Sequence, residues 1–140
     1  MTAFVGTKAA FVCGDHLLTY LRDDHAGLPW AGWWDLPGGG REGAESAEDC
    51  LLREMQEEFG LRLGPERLLW RRVFPSFTVT GAESVFFAGR ITQAEIAAIA
   101  FGDEGQRWEM MPVAAFLAHE RAVPELQRRA GIALAELGAG

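Results

Sequence analysis

Three carboxylates crowd one short segment of this sequence, Arg53-Glu54-Met55-Gln56-Glu57-Glu58-Phe59-Gly60. On a helix advancing about 100° per residue, Glu54, Glu57 and Glu58 fall within roughly a 100° arc of one face. The position is unfavourable twice over. A helix C-terminus carries partial negative charge, and like charges three and four residues apart repel by roughly 0.2–0.5 kcal/mol per pair. Arg53 lies beside that arc and four residues before Glu57, but one arginine cannot neutralise three carboxylates. Clustered carboxylate oxygens are hard ligands that select Mg²⁺ or Mn²⁺. Such ions also bridge to phosphate oxygens and offset the charge of protein and anionic substrate together. The plain alternative is a solvated glutamate-rich face, which penalties this small permit. Just upstream, Gly38-Gly39-Gly40 supplies a backbone that can approach a ligand closely.

These residues need elements to position them. Ser46 is a good N-cap with Glu48 and Asp49 in the first turn, so a helix is predicted from there to Gly60, with Leu52, Met55 and Phe59 as its buried stripe. Strands are predicted near 3–13 and 16–22 around Gly14-Asp15, a short extended piece at Trp33 to Leu36, and further strands near 67–74, 83–91 and around Trp108. Short helices are expected at about 93–99, capped by Thr92, and after Pro112. A last helix opens at Pro124 and is interrupted by Gly131. No repeat or linker breaks the chain, so residues 1–140 are expected to form one α/β domain with helices around a mixed sheet.

The spacing extends beyond the helix. From Gly39 five residues lead to Glu45, and seven more lead to Arg53-Glu54-Met55-x-Glu57-Glu58-x-Gly60-Leu61. This pattern resembles, at every position, the Nudix box of the MutT-like Nudix hydrolases. Trp34-Asp35-Leu36-Pro37-Gly38-Gly39-Gly40 is similar to the strand and loop that lead into that box, and the resemblance is densest from Trp34 to Leu63. It implies a Nudix-type α/β/α sandwich with a mixed central sheet. It also implies a Mg²⁺-dependent pyrophosphohydrolase, with Mn²⁺ as the alternative ion, that cleaves a nucleoside diphosphate linked to another moiety. A nucleoside triphosphate, normal or oxidised, is the foremost substrate, giving a nucleotide and pyrophosphate. Nucleotide sugars and dinucleoside polyphosphates are the alternatives within enzymes. A non-catalytic nucleotide-binding regulatory module is the alternative outside them, and the intact box argues against it. Carried over by position, the resemblance makes Glu57 and Glu58 metal ligands, with a carbonyl from the Gly39 region. Glu54 becomes a ligand or the general base, and Arg53 orients the glutamates. Glu45 and Gly60 take structural roles in the motif. In Gly102-Asp103-Glu104-Gly105-Gln106-Arg107-Trp108, Glu104 becomes a further ligand or base.

Composition bounds the partners. At 140 residues, with 49% apolar and 24% charged residues, the chain matches an ordinary water-soluble domain. A net charge of -7 argues against a nucleic acid polymer as partner, and a polyanionic ligand would need cations to mediate. No apolar run approaches a membrane span and no signal-peptide pattern opens the chain, so a cytoplasmic location without membrane contact is expected. Cys13 and Cys50 form no ligand or disulfide pattern and are expected as buried thiols. Trp30, Trp33 and Trp34 suit core or interface, and hint at a homodimer. Arg22 could reach phosphates or be solvated, and the pairs Arg71-Arg72 and Arg128-Arg129 are expected on the surface.

Overall fold

The computed structural model describes residues 3–138. Its central strand, β1 (Phe4–Cys13), is buried on both faces, and its period of two assigns alternate residues to different cores. Ala9 and Phe11 pack with Leu51, Met55 and Phe59 of α1 (Ala47–Phe59). Ala10 and Val12 pack with Phe116 of α3 (Val113–Ala118) and with Leu126, Ala130 and Leu134 of α4 (Pro124–Leu137). Helices therefore cover both faces of one sheet, the α/β/α layering that the resemblance implies. The short α2 (Gln93–Ala97) is held by a capping box between Thr92 and Glu95.

The sheet is mixed. β1 runs parallel to β5 (Glu83–Arg90), which pairs antiparallel with β4 (Trp70–Pro75) at one end. β2 (His16–Leu21) turns back from β1 at Gly14 and pairs along its length with β6 (Arg107–Pro112). On its other side β2 meets β1 only at Val12↔Leu17 and Cys13↔His16, and then meets β3 (Trp34–Asp35) at Tyr20↔Asp35 and Leu21↔Trp34. β1 and β2 thus splay apart, and the chain leaving β3 fills the wedge. Ala9 N–H donates to Pro37 O, Thr7 N–H to Gly39 O, and Arg41 N–H to Val5 O, each at 2.9 Å. The glycine loop is in effect a short extra strand, laid beside the central strand by its own backbone bonds.

Several local expectations shift. The buried row of α1 is Leu51, Met55 and Phe59, with Leu52 only partly buried, because a four-residue spacing follows the helix row that faces the sheet. A 3-10 turn, Pro65–Arg67, precedes β4, so that strand starts at Trp70. α4 continues through Gly131: one glycine costs about 1 kcal/mol, which the burial of Leu126, Ala130, Ala133 and Leu134 outweighs. Arg129 on that helix is only 3% exposed and is no surface residue. Its guanidinium donates to Glu125, Ser84 Oγ and Pro75 O. Cys50 is buried and Cys13 half-buried, both free thiols. Among the described residues no helix is long and apolar enough to cross a membrane.

Candidate active site

The C-terminal end of α1 is built by three neighbours. Gly60 closes the helix in the left-handed conformation, φ 67°. The loop that follows α2 then returns, and Ala100 N–H and Gly102 N–H donate to the Phe59 and Glu58 carbonyls at 2.9 Å. These bonds satisfy two of the carbonyls that a helix leaves open, and they bring Glu104 to the end that carries the other glutamates. At the opposite end Ser46 Oγ accepts from Asp49 N–H at 3.1 Å.

Arg53 organises the carboxylates. Its guanidinium donates to Glu45 Oε2 (2.7 Å) and Oε1 (3.1 Å), to Glu54 Oε1 (2.9 Å), to Glu57 Oε2 (3.0 Å) and to Gly40 O (2.9 Å). Glu45 also accepts from Glu42 N–H and so ties the 40–45 loop to α1. The Arg53 bonds hold Glu45 well below the usual carboxylate range, at about 2. Glu54 is raised instead, because its burial outweighs the pull of Arg53. Glu58 does not touch Arg53. It is buried, accepts from Gly38 N–H at 3.0 Å, and is pushed up to about 8 by burial, against the opposing pull of the Lys8 charge. Glu57 is the outermost of the three, its side chain 57% exposed.

The glycine loop fits this cluster without slack. A Cβ on Gly39 would come within 2.7 Å of the Glu54 carboxylate, and one on Gly38 within 2.1 Å of Thr7 O at a φ of 130°. The structure therefore brings together Gly39, Glu45, Arg53, Glu54, Glu57 and Glu58, with Glu58 reached through Gly38. The Gly39 carbonyl points to β1, where Thr7 N–H takes one of its lone pairs. Glu104 is exposed, and its charge adds to the forces that raise Glu54. Among the described residues no three His, Cys, Asp or Glu side chains form a closed metal-binding group; the carboxylates are instead spread over Arg53 and Gly38 N–H.

Two cavities open near this cluster. One of about 260 Å³ lies beside Gly39 and Gly40, with Val5, Phe77, Ser84 and Arg129 in its wall. The other, about 330 Å³, lies between Tyr20, Arg22, His25 and Glu104. Beneath them is a buried charge network that the sequence reading passed over. Asp35, 2% exposed, accepts from Lys8 Nζ, Arg22 Nη1, Tyr20 Oη and Leu36 N–H. Its pKa stays lowered despite burial because Lys8 and Arg22 outweigh that penalty. The available signal was a lysine inside the apolar run Thr7-Lys8-Ala9-Ala10-Phe11 and an aspartate between Trp34 and Leu36. Arg22 is thus held by Asp35 and Pro29 O while its partly exposed side chain lines both cavities. Trp34 is buried in the core, whereas Trp30 is 39% exposed beside Trp33.

Known proteins share this architecture. A MutT protein from Methanosarcina mazei superposes with a TM-score of 0.73 at 20% identity, covering 97% of this chain and 96% of that one. A bifunctional NMN adenylyltransferase/ADP ribose pyrophosphatase from Francisella tularensis, complexed with AMP and a Mn ion, superposes at 0.75 and 22% identity, over 97% of this chain and 42% of that one. In sequence, an 8-oxo-dGTP diphosphatase from Proteus vulgaris is 36% identical over 53 residues, 38% of this chain and 47% of the relative. The nucleoside triphosphatase NudI of Escherichia fergusonii is 39% identical over 62 residues, 44% of this chain and 39% of the relative. The chain thus spans less than half the length of these curated relatives. A family model described as the NUDIX domain matches residues 9–130, which takes in the glycine loop, α1, α3 and the start of α4, and this chain belongs to that family.

Proposed function

We propose that the protein is a Mg²⁺-dependent pyrophosphohydrolase that cleaves nucleoside triphosphates, normal or oxidised, to a nucleotide and pyrophosphate. The observation that carries this reading is the Arg53-organised cluster at the end of α1, pressed against Gly39 so closely that no Cβ fits between loop and carboxylate. The residues suit a divalent cation. Their donors are all oxygen, and Glu58 is a buried carboxylate whose charge lacks a full counter-charge. Glu54, Glu57 and Glu58 would hold the ion, with the second lone pair of the Gly39 carbonyl and with Glu104 from its loop. Mn²⁺ fits the same donors. When bound, such an ion neutralises charge on phosphoryl oxygens and favours ionisation of the attacking water.

The side chains of this protein do the rest. Arg53 fixes the orientation of Glu54 and Glu57 by charge-assisted bonds. Glu54 and Glu104 are the carboxylates assigned to accept the proton of the attacking water. The cavity beside Gly39 and Gly40 seats the nucleoside while its phosphates meet the carboxylates. The likeness to a nucleoside triphosphatase and to an 8-oxo-dGTP diphosphatase supports this substrate class.

The test is Mg²⁺-dependent hydrolysis of normal and oxidised nucleoside triphosphates, nucleotide sugars and dinucleoside polyphosphates, beside Glu57→Gln. Triphosphate turnover that collapses in the variant is the expected result. Turnover confined to another class moves the substrate assignment there. No turnover, with cation and nucleotide still bound, replaces the enzyme by a binding module.

A further inference from the structure

The wedge between β1 and β2 holds a lysine that the chemistry above does not use. Lys8 Nζ lies 3.1 Å from Asp35, 3.0 Å from Leu36 O, and 3.4 Å from both Gly38 O and Tyr20 Oη. Asp35 shares it with other donors, since Arg22, Tyr20 and Leu36 N–H also donate to that carboxylate. The two carbonyls are different. They face the gap where the strands have parted, and Lys8 is the side chain that reaches both. Between them lies the Pro37–Gly38 peptide, whose oxygen accepts from Ala9 N–H and whose N–H donates to Glu58 Oε1. The ammonium therefore brackets the one peptide that ties the glycine loop to Glu58.

Three consecutive glycines have many backbone conformations to lose, so their arrangement depends on the bonds that hold it. We propose that Lys8 is a positioning residue that clamps Leu36 O and Gly38 O, fixes the Gly38–Glu58 contact, and thereby sets the affinity of the α1 carboxylates for a divalent cation. This rests on the cation reading above. A purely structural lysine would matter for the fold and leave cation affinity alone.

Mn²⁺ binding to the full chain without nucleotide, followed by electron paramagnetic resonance, separates the two. Outer partners of metal ligands commonly set affinity by about 10–100-fold, so Lys8→Met should weaken Mn²⁺ binding by about tenfold or more. With saturating cation its kcat should return toward that of the parent, because a loss confined to cation affinity is overcome by mass action. Asp35→Asn, which leaves the lysine on both carbonyls, should bind Mn²⁺ nearly as the parent does. An unchanged dissociation constant in Lys8→Met, even with a lower melting temperature, overturns the proposal. So does an equal loss in Asp35→Asn, which would make the ion pair the active element. If Lys8→Met does not fold, Lys8→Gln decides, with at least about a threefold weakening expected from its shorter donor and none overturning the idea. A parent protein that binds no Mn²⁺ removes the cation reading itself and this proposal with it, a result distinct from any variant effect.

Discussion

At the scale of single residues, adjacent glycines do different work. Gly38 sits at φ 130°, and an added Cβ would lie 2.1 Å from backbone Thr7 O, which cannot yield without moving β1. Gly39 lies outside the left-handed region, and the atoms nearest its Cβ would be those of the Glu54 carboxylate, a side chain able to turn. Gly38→Ala should therefore destabilise the fold by about 2–4 kcal/mol, the range of strained backbone combined with overpacking. Gly39→Ala should fold nearly as stably but lose Mg²⁺-dependent hydrolysis by about a hundredfold, as a misplacement near 1 Å would cause. Thermal melting set beside hydrolysis rates distinguishes them, and equal losses of stability would refute the contrast. Glu54 and Glu58 show why residue type alone was ambiguous. Both were legible as carboxylates on one arc, but their burial comes from the glycine loop folding back against α1, a contact that residue type does not record.

At the scale of elements, α1 delivers the cluster and its ends set its register. Gly60 is in the left-handed region, and a Cβ there would stand 3.1 Å from Ala100 Cβ and 3.2 Å from Ala100 O. Gly60→Ala should cost about 1–2 kcal/mol from the conformation alone, and it should also loosen the loop that carries Glu104. Denaturant melts read the first effect, and a fall in kcat larger than the stability loss explains reads the second. The Glu95–Arg67 pair ties α2 to the turn before β4, with two bonds of 2.6 Å. Those bonds lower Glu95 from 4.5 to about 2. A depressed carboxylate stabilises the fold fully above its unfolded pKa, and the gain is lost as pH falls through the folded one. The parent should thus lose stability between pH 4.5 and 2 more steeply than Glu95→Gln. Parallel acid titrations followed by circular dichroism check this, and identical curves would refute it.

At the scale of the molecule, a chain with net charge -7 gathers Glu45, Glu54 and Glu57 around Arg53, with Glu58 on the same helix α1, while most of its other carboxylates lie elsewhere. Ligand that binds only the folded state raises stability by mass action, about 2.7 kcal/mol at a hundred times its dissociation constant. Mg²⁺ should raise the melting temperature of the parent, and Glu57→Gln should reduce that rise. Differential scanning calorimetry at several Mg²⁺ concentrations gives the answer, and a melting temperature indifferent to Mg²⁺ would count against the site. Two-sided helical cover of the sheet explains why the site is tolerated: the cores around Phe11 and Phe86 carry the stability, and the cluster sits at their rim.

By itself the sequence determined what is local. The α1 boundaries at Ser46 and Gly60, the arc of glutamates, the flanking Arg53 and the glycine loop follow from caps, helical period and spacing, all within 23 residues. Most strand positions were legible too, because period-two burial leaves a pattern in the chain. Tertiary structure alone decided which helix row faces the sheet, that α4 runs unbroken through Gly131, and that Arg129 is buried rather than solvated. It alone decided that Lys8, Asp35 and Arg22 meet under the loop. The physical reason is common to these cases. Burial and pairing of a charge depend on strands that part and let a distant segment in, and no short window of sequence records where that gap opens.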